Sequence, residues 1–278
     1  MTTQYFAYRI FLNQQIGEFP FRNKEDVFYE AIDEIKENHK NEFTDWGNEH
    51  ILYHIKTFGR DIHLLQLARK HKYKKPVAGD LKIEQVSDVD YPFIYLFLHV
   101  KHQIILIQKD TAVFQDMDAV KSKLERFLID QMAAHAIKAS LIEITDQRDF
   151  WTKLNELDFI EKVELSYEPP NFFGGKNRVD KITKEVQEET NYEKFQIILQ
   201  NKYQGLKFGF ETFKEHIQRL SSGAGDFVIK GLIDGVPRTL KKFSIPFKKD
   251  IVDPEKETKE SLEETFDDIN DLNKDANR

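Results

Sequence analysis

The sequence predicts an α+β protein: two domains of mixed, mainly antiparallel sheet with packed helices, followed by an acidic C-terminal tail. Three observations predict it. Short aromatic and β-branched runs recur and are joined by turn residues, which is the pattern of antiparallel strands. Helical apolar stripes fall between groups of strands rather than after each strand, so a regular βαβ alternation is missing. Apolar residues make up 40% of the 278, and 23 are Phe, which is core enough for two modest domains.

The elements follow in order. Thr3 to Asn13 alternates and is rich in Tyr, Phe and Ile, a first strand. Asn23 offers a cap to a helix reaching Asn38, with Val27, Ala31, Ile32 and Ile35 on one stripe. Ile51 to Phe58 and Asp61 to Ala68 form a hairpin around Gly59-Arg60. Asp80 to Val86 is a short strand, and Pro92 to Val100 with Gln103 to Lys109 is the clearest hairpin. Asp118 caps the clearest helix, Asp118 to Ile137, where Val120, Leu124, Phe127, Leu128, Met132 and Ala136 share a face. These elements make a first domain, residues 1–137.

A second domain, residues 138–250, begins with a strand at Ala139 to Ile144 and a helix at Arg148 to Leu157. A strand at Phe159 to Tyr167 ends in Pro169-Pro170, and Lys176 to Thr190 is helical. Phe195 to Leu199 fits strand and helix alike. Phe210 to Leu220 is a helix stopped at Ser221-Ser222-Gly223, where Gly223 suits a C-cap. Phe227 to Leu232 and Arg238 to Ile245 flank a turn at Asp234-Gly235. The tail, residues 251–278, keeps Leu262, Phe266, Ile269 and Leu272 near helical spacing. Its charge nevertheless makes a flexible segment the expectation.

Composition excludes several classes. With no cysteine, disulfides, Cys-ligated zinc, iron–sulfur clusters and a Cys nucleophile are all ruled out. The start, Met1 to Phe6, has neither a basic region nor a long apolar run. The most apolar window, Phe93 to Val100, is far short of the roughly 20 residues of a spanning helix. A cytoplasmic protein with no direct membrane insertion is expected.

Charge is spread unevenly. The net charge is -7, but the last 28 residues hold ten acids against four bases, and the other 250 carry 37 Lys/Arg against 38 Asp/Glu. Two stretches are basic and free of acids. One is Arg69-Lys70-His71-Lys72-Tyr73-Lys74-Lys75. The other runs from Gly235 to Lys249 with Arg238, Lys241, Lys242, Lys248 and Lys249. Such runs neutralise phosphates, and Tyr73 is placed to stack on a base or sugar. The plainer readings are a solvated strand end for the first and lysine protection of a sheet edge for the second.

Other motifs carry less. Lys176 and Arg178 follow Gly174-Gly175 at a helix start, an anion-binding candidate beside the plain reading of a linking turn. It is not a P-loop: Pro169 or Pro170 falls where the first Gly belongs, and Asn177 follows the Lys. His50 and His54 lack the order of a zinc protease, and His99 and His102 flank a turn that brings them close without a third ligand. No metal site or cofactor is expected. Among the abundant carboxylates (Asp88, Asp90, Glu143, Asp146, Glu161, Glu164), Glu-x-Lys occurs at Glu34-Ile35-Lys36 in a helix, not on a strand as the commonest such nuclease needs.

The first strand Tyr5-Phe6-Ala7-Tyr8-Arg9-Ile10 and the hairpin Tyr95-Leu96-Phe97-Leu98 to Ile104-Ile105-Leu106-Ile107 belong to a wider layout. With its following helix and the turn Gly223-Ala224-Gly225 before the last hairpin, it resembles RexA-type phage-exclusion proteins. The resemblance covers most of residues 4 to 250 and implies a cytoplasmic sensor that binds DNA as a dimer and works with a membrane partner. The low pI of 5.8 and the acidic tail depart from it. The expectation is therefore an antiphage defence protein that binds nucleic acid, chiefly duplex DNA with little sequence preference, as a homodimer. Its contacts would be Arg69, Lys70, Lys72, Tyr73, Lys74, Lys75, Lys176, Arg178, Arg238, Lys241, Lys242, Lys248 and Lys249. A tail competing for these cations would make its deletion tighten binding. A nuclease or toxin effector, or a protein-binding adaptor, are the alternatives.

Overall fold

A computed structural model describes residues 2–14, 22–78, 82–168, 178–190, 192, 194–207, 209–241 and 246–271. In chain order the elements are β1 (Thr3–Gln14), α1 (Lys24–Asn38), β2 (Lys40–Asp45), β3 (Asn48–Phe58), β4 (Ile62–Arg69), β5 (His71–Ala78), β6 (Ile83–Asp90), β7 (Phe93–His99), β8 (Ile104–Gln108), α2 (Met117–Gln131) and β9 (Ile137–Glu143). They continue with α3 (Arg148–Asn155), β10 (Phe159–Tyr167), α4 (Arg178–Thr190), β11 (Phe195–Gln200), α5 (Phe210–Arg219), β12 (Gly225–Ile233), β13 (Val236–Lys241), β14 (Lys248–Ile251) and α6 (Lys259–Asp271). The α+β class holds, and the pairings are antiparallel.

The large sheet runs β14-β1-β8-β7-β4-β3-β2. Along its outer edge β1 pairs first with β14, at Thr3 to Phe6, and then with β9, at Tyr8 to Gln14. The two partners lie end to end, and the 4-stranded sheet β11-β10-β12-β13 is built from the chain between them. The second unit is thus an insertion within one edge of the first. This moves the domain boundary expected at residue 138: β9 belongs to the large sheet, with Ile137, Ala139 and Leu141 in its core. Strand alternation shows which face of a strand is buried, not which sheet it joins.

Both faces of the large sheet are covered in part. On one, Val27, Phe28, Ile32 and Ile35 of α1 and Val120, Leu124 and Phe127 of α2 pack on Phe6, Tyr8, Ile10, Leu65, Leu96 and Ile105. Asn23 caps α1 as expected, its Oδ1 accepting from the Glu25 N–H at 3.0 Å. The cap of α2 is Asp116 rather than Asp118, because its Oδ1 accepts from the Ala119 N–H at 2.7 Å.

On the opposite face residues 251–271 depart from the reading of the tail as a flexible segment, while Leu272 and the rest of the tail lie outside the described residues. Leu262, Phe266 and Ile269 of α6 are buried against Tyr5, Ala7, Ile62, Leu64, Phe97 and Leu106. Their spacing of four and three residues makes one stripe, and that stripe outweighs the surrounding charge. The smaller sheet buries Val163, Leu165, Phe227 and Ile229 beneath helices that contribute Phe150, Leu154, Val179 and Ile217.

Gly223 lies where the two units meet. Its φ is +88°, and a Cβ there would meet the Arg9 Cβ at 3.0 Å and the Ile142 carbonyl oxygen at 3.1 Å. Only glycine tolerates both the conformation and the approach. Beside it the partly buried Arg9 guanidinium donates to the carbonyls of Ser222 (2.7 Å) and His102 (3.0 Å) and to Asn270 Oδ1 (3.4 Å). Burial, with Arg219 nearby, lowers Arg9 to about 10. One side chain therefore ties β1, the inserted unit, the β7–β8 turn and α6 together. Among the described residues no helix is long and apolar enough to cross a membrane.

Candidate nucleic-acid interface

The basic stretch from Arg69 to Lys75 is part of one long hairpin. The ladder of β4 with β7 runs from Ile62↔His99 to Ala68↔Phe93, and that of β5 with β6 from His71↔Asp90 to Ala78↔Ile83. Both have the same register, joined by the Arg69 N–H donating to the Pro92 carbonyl at 3.1 Å. The root of this hairpin lies within the large sheet. Its distal half, β5–β6, forms a two-stranded sheet of its own, with no third strand among the described residues, and nearly all its residues are exposed. We refer to this half as the arm.

Residues opposite one another in an antiparallel pair share a face. His71, Tyr73, Lys75 and Val77 therefore share one with Asp90, Asp88, Val86 and Glu84. Among the described residues every acid of the arm lies here, and the charges meet: His71 Nδ1 is 3.0 Å from Asp90, Lys75 Nζ is 3.7 Å from Asp88, and the Tyr73 hydroxyl donates to Asp88 at 3.3 Å. The Val89 N–H, then Tyr73 and Lys75, hold the Asp88 carboxyl below its usual range, against a desolvation that would raise it. Tyr73 stacks on the His71 ring at 5.8 Å, so this ring is already engaged within the arm.

The other face carries Lys72, Lys74, Pro76 and Ala78 across from Val89, Ser87, Gln85 and Ile83. Among the described residues no acid of the arm stands on it. Glu49, at the start of β3 beside the root, takes Lys70 at 2.6 Å and reaches Lys72 at 4.0 Å. The Lys70 contact depresses the Glu49 carboxyl and raises Lys70. Lys74 has no ion-pair partner among the described residues. Arg69 points to the opposite side, where its guanidinium donates to the Ala112 carbonyl at 3.4 Å.

The second basic stretch does not stay together. Arg238 and Lys241 are exposed on β13, the edge of the small sheet. Lys248 and Lys249 lie on β14, the edge of the large one, opposite Phe6 and Tyr5, and Lys248 Nζ sits 5.2 Å from the Phe6 ring centroid. Lys176 and Lys242, and the side chain of Arg178, lie outside the described residues.

Some residues escaped the sequence reading. Lys162 and Lys230 stand on the open face of the small sheet in the rows next to Lys241, and Lys162 pairs with Glu164. That contact, reinforced by Lys230 and Lys241, lowers the Glu164 carboxyl. Tyr91 and Phe93 are 48% and 42% exposed at the root of the arm. Trp46 is 88% exposed on the β2–β3 turn, at the sheet end from which the arm leaves. Alternation marked Lys162 and Lys230 as one face of a strand but left open which face is bare.

The histidines pair in two places. His99 and His102 have ring centroids 4.2 Å apart, as their flanking of a turn suggested, and His54 Nε2 is 3.3 Å from His63 Nδ1. Burial, with the neighbouring imidazole second, lowers His63 and His99 to about 4. Among the described residues no three His, Cys, Asp or Glu side chains are grouped to hold a metal ion. No protein-family model matches the chain, and no curated protein sequence matches it.

Proposed function

We propose that this protein binds nucleic acid, duplex DNA with little sequence preference, through the arm. The observation that carries the reading is the segregation of charge on a bare ribbon. Among the described residues Lys72 and Lys74 stand on a face without acids, while Glu84, Asp88 and Asp90 all turn to the other. A two-stranded ribbon fits the major groove of B-DNA. Lysines are point charges that neutralise phosphates without reading bases. A stripe of lysines on such a ribbon therefore predicts affinity that depends on salt more than on sequence. A dimeric antiphage sensor in the cytoplasm, with a membrane partner, is the setting we propose, and it rests on the RexA-type layout of the sequence alone.

The test is the affinity for a labelled blunt duplex between about 50 and about 200 mM salt. Binding should weaken linearly in log–log form. In a Lys72→Gln, Lys74→Gln variant the slope should fall by about 2, at roughly 0.9 per phosphate lost. An unchanged slope, or no binding of the wild-type chain at the lowest salt, overturns the assignment.

A further inference from the structure

The face that carries Lys72 and Lys74 changes character toward the root of the hairpin. Its opposed pairs run from Ala78/Ile83, Pro76/Gln85, Lys74/Ser87 and Lys72/Val89 down to Ala68/Phe93, Gln66/Tyr95 and Leu64/Phe97. Between the two ladders the shared register sets Lys70 opposite Tyr91. The Leu64/Phe97 pair lies under α6, with both residues buried against it. Coverage ends at Tyr95, whose hydroxyl donates to Glu255 at 2.6 Å. One step further out, Phe93 and Tyr91 are both exposed to solvent over nearly half of their surface. Phe93 is braced from below by Tyr95, edge to face at 5.4 Å and 86°. Ala68 stands opposite it, and β8 pairs only with Leu96 to His99, so the ladder partners leave Phe93 unscreened.

We infer that Tyr91 and Phe93 form a stacking platform for unpaired bases, making single-stranded nucleic acid a ligand of the same face. The inference rests on the nucleic-acid reading above and adds the form of the ligand. Successive same-face positions on a strand are about 7 Å apart, so two aromatic rings are followed at regular intervals by Lys72 and Lys74. Aromatic rings beside a cationic track are what sequence-tolerant single-strand binding needs: the rings take bases and the lysines take phosphates. Lys70, between them, is shared with Glu49 and contributes less charge. A single strand supplies exposed base faces that a blunt duplex keeps stacked, so charge alone does not determine the preference.

The test compares a labelled oligothymidine with a blunt duplex carrying the same number of phosphates. The wild-type chain and a Tyr91→Ala, Phe93→Ala variant are both titrated by fluorescence anisotropy, with thermal melts to confirm equal folding. The variant should lose about tenfold or more on the single strand, as expected for lost base–aromatic stacking. Its duplex affinity should stay within about twofold, and its salt slope should be unchanged on both, because no phosphate contact is removed. An unchanged single-strand affinity, or an equal loss on both ligands, overturns the platform and leaves the duplex reading standing. A wild-type dimer that dissociates in the variant assigns the rings to a second copy and also overturns it. Failure of the wild-type chain to bind either ligand removes the nucleic-acid reading itself.

Discussion

The arm and helix α6 are both strongly charged, of opposite sign, and fare differently. The arm keeps its lysines in solvent on a two-stranded ribbon. Helix α6, with Glu260, Glu263, Glu264, Asp267, Asp268 and Asp271, is docked as part of a core. The difference is not in charge density but in what accompanies it. In α6 three apolar side chains recur at the period of the helix, so one rotation buries all of them and leaves the acids outside. In the arm the period is two, and neither face carries an uninterrupted apolar set. A charge run is therefore solvated or docked according to the few uncharged residues between its charges. The acids at the C-terminal end of α6 work against its dipole, with no base in the last turn. Docking has to outweigh that.

The largest test of this contrast is Phe266→Ala. Phe266 is fully buried beneath α6, and removing such a ring costs about 3–5 kcal/mol. Denaturant unfolding should show that loss, and the corresponding change in the arm, Lys74→Ala, should stay within about 0.5 kcal/mol. If Phe266→Ala leaves stability unchanged, α6 is not a core element and the contrast fails. The same geometry reverses the outcome expected for deleting residues 252–278. Tyr5, Phe97 and Leu106 lie under α6, so the deletion exposes a sheet face and destabilises the fold rather than simply freeing the arm to bind DNA more tightly.

A second test uses pH. His99 touches Phe266, with ring centroids 5.0 Å apart, and His102 Nε2 pairs with Asp267 at 3.2 Å, so the imidazole pair lies under α6. Burial first, then His102, lowers His99 from 6.5 to about 4, while Asp61 and Asp267 oppose the shift and Lys101 adds to it. The unfolded chain thus binds the proton more readily than the folded one. Stability from the neutral ring is complete above pH 6.5 and is lost as pH falls toward about 4. The free energy of unfolding between these limits should fall, by on the order of 1–2 kcal/mol at the lower end after allowing for the coupled pair, and melting temperatures should fall with it. His99→Gln should flatten the profile. An equally steep profile in that variant would place the sensitivity elsewhere, with His63 as the next candidate.

Much of the fold was legible because local pattern and burial agree. The stripes of α1 and α2, the hairpin at Asp234-Gly235 and the strand at Phe159 to Tyr167 all follow from spacing. β2 was missed because Lys40 to Asp45 is mostly polar, and it is held by its ladder to β3 rather than by its own apolar residues. The insertion of one unit between β9 and β14 has no local signature, since β1 selects both partners from distant parts of the chain. Of the candidate interface, the lysines were visible in the sequence, but their division between two faces was not. That depended on the register that places Asp88 and Asp90 opposite Tyr73 and His71.

The smallest expected effect separates the arm from the other basic run. Arg238 and Lys241 lie on an edge strand of the inserted sheet, and among the described residues no ladder joins that sheet to the arm. Lys241 also shares its open face with the Glu164 carboxylate, which already holds Lys162. A nucleic acid seated on Lys72 and Lys74 has no structural reason to require either residue. Arg238→Gln with Lys241→Gln should therefore change duplex affinity by less than about threefold and the salt slope by less than about 1. A loss matching that of the arm variant would join the two runs into one phosphate track across both sheets. Lys162 and Lys230 would then become its next members, because they occupy the rows beside Lys241 on the same open face.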